Sequence, residues 1–233
     1  MKAPAVLTGL LLTTVLATGA VPAAGGSLAS MAKDQGGGSR FKMHFQGSTS
    51  DMHVGLIKVD PAAGKVVLEV FAKADFTEPM WQQFIISMKA ERPAIEAGYV
   101  QVGSRSPMTL TAQHLAGTES LDVNMFLLTE AELRDGKQKN IQRVGQEKIT
   151  IPAGTVLSTR YKVERPDQKL EFWISDEARP IGLIRLVSTG KKTEQNYRLE
   201  LEELLSGLAA KINPTKAVPL TDEVRKMISA PTK

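Results

Sequence analysis

The residues that most resemble catalytic machinery are Ser30-Met-Ala-Lys33, which fit the S-x-x-K motif of serine penicillin-binding enzymes. Ser175-Asp176 and Lys192-Thr193 follow in the order that those enzymes use. The nucleophile of that motif opens a buried helix, whereas Ser30 is followed within a few residues by the Gly-rich run 36–38. The two later segments, at Ser175-Asp176 and Lys192-Thr193, do not continue with the third residue that the motifs of those enzymes require. We therefore attribute the match to chance.

The histidines are a second candidate for chemistry, because imidazole is a common zinc and copper ligand. The chain has only His44, His53 and His114, and the first two could face each other across a hairpin. No third ligand follows at a spacing typical of metal sites. Both hairpin histidines occupy polar positions of alternating segments, which predicts solvated side chains and no metal.

Pairs of carboxylates, which a glycosidase needs on the two sides of a cleft, also occur. Glu78 is explained more simply by its position near a predicted helix start, where its negative charge interacts favourably with the helix dipole. Glu200 and Glu202 alternate with leucines and read as the solvated face of a strand. The neighbouring carboxylates are Asp75/Glu78, Glu130/Glu132, Glu200/Glu202/Glu203 and Asp222/Glu223. We therefore expect no catalytic residues, no cofactor and no enzymatic activity.

Composition narrows the class further. The 233 residues include no Cys, which excludes disulfides, zinc–thiolate sites and a lipobox cysteine. Hydrophobic residues make up 42% of the chain, enough for a core. The net charge of +4 comes from cations interspersed with acids, which does not indicate a nucleic-acid surface.

The N-terminal residues have the form of a secretory signal peptide. Met1-Lys2 precede an apolar run over 5–20, and Val21-Pro22-Ala23 supplies small residues for cleavage after Ala23. No later apolar stretch approaches the roughly 18 residues of a membrane-spanning helix. We expect residues 1–23 to be removed and the mature chain to be periplasmic or secreted, in a bacterium because cysteine is absent.

The segments that would position any site are mostly strands. Residues 24–39 are predicted to form a flexible Gly-rich leader, 40–212 an antiparallel β domain, and 213–233 a tail with a short amphipathic helix. Alternating segments predict about ten short strands, joined by turns with Pro or Gly. Strands are predicted at 41–45, 52–59, 66–71, 99–102, 108–115, 121–128, 148–151, 156–164, 170–175, 182–188 and 196–202.

One helix is predicted inside this pattern. Thr77-Glu78-Pro79 combines a hydroxyl cap with Pro in the first turn, and an apolar stripe at helical spacing follows, ending near Pro93. The stripe consists of Met80, Trp81, Phe84, Ile85 and Met88. The predicted fold class is therefore mainly β, a curved antiparallel sheet with this helix covering its concave face.

Residues 147–212 resemble a known family in their turns and strands. The segments are Glu147-Lys-Ile-Thr-Ile-Pro-Ala-Gly-Thr155, Thr159-Arg-Tyr161, Phe172-Trp-Ile-Ser175, Pro180-Ile-Gly-Leu-Ile184 and Leu204-Leu-Ser-Gly-Leu-Ala-Ala210. The pattern is similar to that of uncharacterised exported bacterial proteins, which resemble the half-barrels of the periplasmic lipoprotein carrier family. The resemblance implies a half-barrel with an apolar, lipid-facing surface.

These observations lead to one functional prediction and one alternative. A half-barrel closed by a helix rich in Met and aromatic residues leaves an apolar cavity, so the protein is predicted to bind a lipid or another apolar molecule, or a partner protein, in the envelope. The alternative is a non-catalytic interaction or structural protein with a filled core. Predicted ligand-binding residues are Trp81, Phe84, Ile85, Met88, Tyr161 and Phe172.

Overall fold

The computed structural model describes residues 28–74, 78–89, 94–112, 114–115, 141–164 and 166–229. Predictions for the signal peptide, for a strand at 121–128 and for a turn at 129–134 lie outside these residues. The described elements are α1 (Leu28–Lys33), β1 (Gly37–Phe45), β2 (Ser48–Asp60), β3 (Lys65–Ala74), β4 (Met80–Ser87), β5 (Ala94–Val102), β6 (Met108–Thr109), β7 (Ile141–Ile151), β8 (Gly154–Glu164), β9 (Gln168–Ile174), β10 (Leu183–Gly190), β11 (Tyr197–Leu205), β12 (Val218–Pro219) and α2 (Asp222–Ser229).

All described strands belong to one large sheet in the order β12-β6-β5-β4-β3-β2-β1-β11-β10-β9-β8-β7. Neighbours are antiparallel except β12 and β6, which are parallel. Most neighbours are also consecutive in sequence, so short turns build the sheet, and the β1–β11 pair joins its two halves. The sheet is curved and does not close, which confirms the predicted fold class of a mainly β, antiparallel curved sheet.

The predicted helix over the stripe from Met80 to Met88 is wrong, because Met80–Ser87 is strand β4. This strand pairs with β3 on one side and β5 on the other. A helix and a strand can each bury part of such a stripe. Pairing with β3 and β5 on its two sides favours the strand here. The helix expected on the concave face is therefore absent from residues 80–87.

The Gly-rich leader is also wrong in part, because α1 and the start of β1 lie within residues 24–39. Gly37 and Gly38 serve close packing there. A Cβ on Gly37 would lie 2.9 Å from the carbonyl oxygen of Asp34, and one on Gly38 would lie 2.5 Å from the carbonyl oxygen of Val54. The glycines thus allow main chains to approach each other.

The C-terminal tail contains the predicted short helix as α2. Val224 is 1% exposed and Ile228 is 7% exposed, and both belong to the main hydrophobic core. The helix therefore docks on the domain. The strand predicted for 108–115 is confined to Met108–Thr109.

The two faces of the sheet present different side chains. We call the face that includes Phe41, Met52, Met80 and Val102 the core face, since cross-strand pairs place these buried residues in one row. We call the opposite face the outer face. Alternate residues of each strand point to opposite faces, so this row fixes the side on which the neighbouring residues lie.

Candidate functional site

The core face of β1–β6 is rich in methionine. Met43, Met52, Met80 and Met108 lie on it, and each is 2–3% exposed. The other half of the sheet, β7–β11, contains no methionine in its strands. We call the core face of β1–β6 the methionine half. Methionine side chains are unbranched and polarisable, so they adapt to the shape of an apolar neighbour.

A glutamine lies in the middle of the methionine half. Gln82 of β4 pairs with Val70 of β3 and Val100 of β5, and the row continues to Met108 of β6. Its side chain is 6% exposed, and its amide nitrogen Nε2 has no hydrogen-bond partner within the described part of the chain. A buried amide without a partner costs about 1–3 kcal/mol.

Two buried serine hydroxyls of the methionine half share this condition. Ser39 of β1 is 0% exposed and Ser50 of β2 is 4% exposed, and neither Oγ has a hydrogen-bond partner among the described residues. Ser39 is in the same cross-strand row as Gln82, three strands away. The methionine half is therefore an apolar surface with separate, unpaired polar atoms.

Three of the six predicted ligand-binding residues are buried on the core face. Phe84 of β4 is 2% exposed and lies in the methionine half. Tyr161 and Phe172 belong to β8 and β9 on the other half, where they form a cross-strand pair with ring centroids 5.4 Å apart. Met88 follows β4 and packs, partly buried, against the same core.

The remaining two residues face the other way. Trp81 and Ile85 alternate with the core residues of β4 and lie half-buried on the outer face. The ring of Trp81 contacts Phe71 at 4.6 Å between centroids, and Phe71 contacts His53 at 4.9 Å. The predicted stripe is thus divided between two surfaces, because strand geometry separates residues that a helix would place together.

Residues 207–213 cross the outer face, and we call them the strap. Glu69 of β3 is 3% exposed, and its carboxylate accepts hydrogen bonds from the main-chain N–H groups of Lys211 and Ile212 at 2.9 and 3.1 Å. Gln83 of β4, the cross-strand neighbour of Glu69, donates to that carboxylate at 3.0 Å and to the Ile212 carbonyl at 3.1 Å. These polar side chains hold the strap on the sheet.

The strap also packs against two glycines. A Cβ on Gly38 would lie 2.6 Å from Cδ1 of Leu208, and one on Gly55 would lie 2.7 Å from the same atom. Gly38 and Gly55 are cross-strand neighbours on β1 and β2, so together they make room for the leucine. In the sequence, the only signal for this contact is Gly55, a glycine in the middle of a predicted strand.

The outer face of β7–β11 carries an ionic network around Trp173. The guanidinium carbons of Arg160 and Arg185 lie 5.2 and 5.7 Å from the ring centroid, and the indole nitrogen donates to Glu147 at 2.6 Å. Glu200 accepts from Arg185 and from Arg198. Burial by itself raises the pKa of Glu200, but the hydrogen bonds and the positive charges of Arg198 and Arg185 together outweigh burial and leave the pKa below its ordinary value.

The described residues contain no group of three or more His, Asp or Glu side chains placed to hold a metal ion. His44 pairs with Thr49 and His53 with Arg40, so the first hairpin does not bring the two histidines opposite each other. His53 is half-buried against Phe71 and is less solvated than predicted. No helix among the described residues is long and apolar enough to cross a membrane.

Comparisons with known proteins show similarity to solved structures only. No family model matches the sequence. No curated protein matches it either. An exported protein with a YmcC-like fold from Bacteroides fragilis has a TM-score of 0.40 at 10% identity, over 73% of this chain and 95% of that chain. A lipoprotein from Parabacteroides distasonis has a TM-score of 0.35 at 13% identity, over 73% and 95%.

The structure of Pseudomonas aeruginosa MucA/MucB is also similar, with a TM-score of 0.41 at 12% identity over 85% of this chain. The match spans 64% of that chain. None of these three proteins is described as a lipoprotein carrier, so the resemblance to that family stays a prediction.

Proposed function

We propose that this protein is a non-catalytic binding protein of the bacterial envelope that holds a flexible apolar molecule against the methionine half. The observation that carries the proposal is the set of four buried methionines on adjacent parts of one sheet face. Such a lining adapts to chains that differ in shape, as acyl chains do. The signal peptide predicted from residues 1–23 supports a periplasmic or secreted location.

The first experiment asks whether a ligand is present. The protein is purified from a periplasmic extract without detergent, examined by native mass spectrometry, and titrated with a fluorescent acyl-chain probe. We expect a co-purifying apolar molecule or saturable binding of the probe. A native mass equal to that of the mature protein alone, together with no saturable binding of the probe, would favour the alternative, an interaction protein with a filled core.

The second experiment tests whether the methionine half borders an open cavity that can hold a ligand. Val70 lies on the core face of β3 and is only partly buried, whereas Val67 is half-buried on the outer face of the same strand. If there is room, Val70→Phe should abolish probe binding and lower stability by well under the roughly 1–3 kcal/mol typical of overpacking. Val67→Phe is the matched control and should leave binding unchanged. A full overpacking loss for Val70→Phe contradicts an open cavity.

A further inference from the structure

Gln82 is the one long polar side chain on its row of the core face. Its neighbours across the strands are Val70 and Val100, and the row continues to Val54 and Ser39 on one side and to Met108 and Val218 on the other. Buried amides normally find a hydrogen-bond partner, because an unpaired donor loses its bonds to water and gains nothing in return. Nε2 of Gln82 has no such partner among the described residues.

We propose, building on the function proposed above, that Gln82 is a specificity-determining residue that donates a hydrogen bond from Nε2 to a neutral carbonyl oxygen of the bound apolar molecule. The ligand class is an acyl chain joined through an ester or an amide. The donor atom requires an acceptor, and a carbonyl oxygen supplies one without adding a charge.

The surroundings of Gln82 favour a neutral group over a free fatty acid. Val54, Val70, Val100 and Met108 share its row and carry no charge. Burial of an ionised carboxylate there without a cation is strongly unfavourable, because the group loses its hydration. An ester or amide carbonyl loses much less on transfer from water, and its oxygen is satisfied by the glutamine.

The test compares three probes of equal chain length, methyl laurate, laurate and dodecane, each delivered from methyl-β-cyclodextrin. The wild-type protein should bind the ester about three- to tenfold more tightly than the hydrocarbon, the range expected for one neutral hydrogen bond. Laurate should bind more weakly than the ester. Gln82→Met keeps the length of the side chain and removes the donor, so the preference for the ester over dodecane should disappear.

Gln101→Met is the matched control. Gln101 is the cross-strand neighbour of Trp81 on the outer face of β5, so this variant should keep the ester preference. A measurement on the wild type does not depend on any variant folding: in ¹⁵N-correlated NMR spectra, the side-chain amide of Gln82 should shift with methyl laurate and not with dodecane.

The outcomes separate the two proposals. Binding of the ester and the hydrocarbon with equal affinity, an ester preference that survives in Gln82→Met, or an unmoved Gln82 amide signal overturns the role of Gln82 and leaves the apolar binding function standing. Failure of all three probes to bind overturns both. Tighter binding of laurate than of the ester also overturns the assignment of a neutral carbonyl.

Discussion

Replacing Glu69 by Ala should release the strap from the outer face. The carboxylate of Glu69 accepts hydrogen bonds from the main-chain N–H groups of Lys211 and Ile212 and from the side chain of Gln83. Glu69 is 3% exposed, so no solvent replaces the lost acceptor while the strap stays in place. The donors must then remain unpaired, or the strap must detach and expose them to water.

The loss of stability in Glu69→Ala cannot exceed the free energy with which the strap binds to the outer face, because the strap can detach. Hydrogen bonds to a charged group contribute about 1.5–3 kcal/mol each, which would give a large sum if the strap could not move. A detached strap hydrates its N–H groups and gives up the burial of Ile212, which is 1% exposed in the structure. Full burial of an isoleucine is worth about 1.5–3 kcal/mol. We therefore expect Glu69→Ala to lower the free energy of unfolding by about 2–4 kcal/mol.

Urea unfolding and hydrogen exchange together test this reasoning. The unfolding midpoint should fall, and the amides of Lys211 and Ile212 should lose protection from exchange. Glu96→Ala is the control, because Glu96 forms an ion pair of 2.6 Å with Lys65 in which both side chains are 40% exposed. Such an exposed ion pair contributes little to stability, because water screens the attraction between its charges. Equal losses in the two variants, or full protection of the strap amides in Glu69→Ala, would refute the role of Glu69.

Three further predictions concern other contacts. Gly38→Ala should cost about 1–3 kcal/mol in urea unfolding, because its Cβ would lie 2.5 Å from the main-chain carbonyl oxygen of Val54; Gly55→Ala should cost less, because its Cβ would meet only the end of the Leu208 side chain, at 2.7 Å, and equal losses would contradict this distinction. Burial, and then the charge of Arg40, lower the pKa of His53. The unfolded chain therefore binds a proton at this residue more readily, and the stability contributed by neutral His53 is lost as the pH falls below about 6.5. Arg40→Gln should raise the pKa in an NMR titration, and an unchanged pKa would exclude the charge effect. Acrylamide should quench wild-type fluorescence mainly through half-buried Trp81, so Trp81→Phe should leave a poorly quenched signal from Trp173, which is 7% exposed; equal quenching in both proteins contradicts the assignment of faces.

Most strands could be predicted from the sequence, because their signals are local. Alternation of apolar and polar residues over Phe41–Phe45 fixes the period, and Asp60-Pro-Ala-Ala-Gly64 closes a hairpin with a glycine at φ 67°. The short C-terminal helix was also predictable, since Thr221 precedes an amphipathic run. These features depend on residues within a few positions of one another.

The tertiary structure decided the features that depend on distant partners. Met80–Ser87 carries a pattern that suits a helix locally, and it becomes a strand because β3 and β5 pair with it on both sides. The placement of Trp81 and Phe84 on opposite faces follows from that change of period. The sequence by itself determined where most strands and turns lie. Only the fold could bring Glu69 to Ile212, 143 residues along the chain, or leave the amide of Gln82 unpaired in an apolar row, because contacts between distant segments leave no local periodicity.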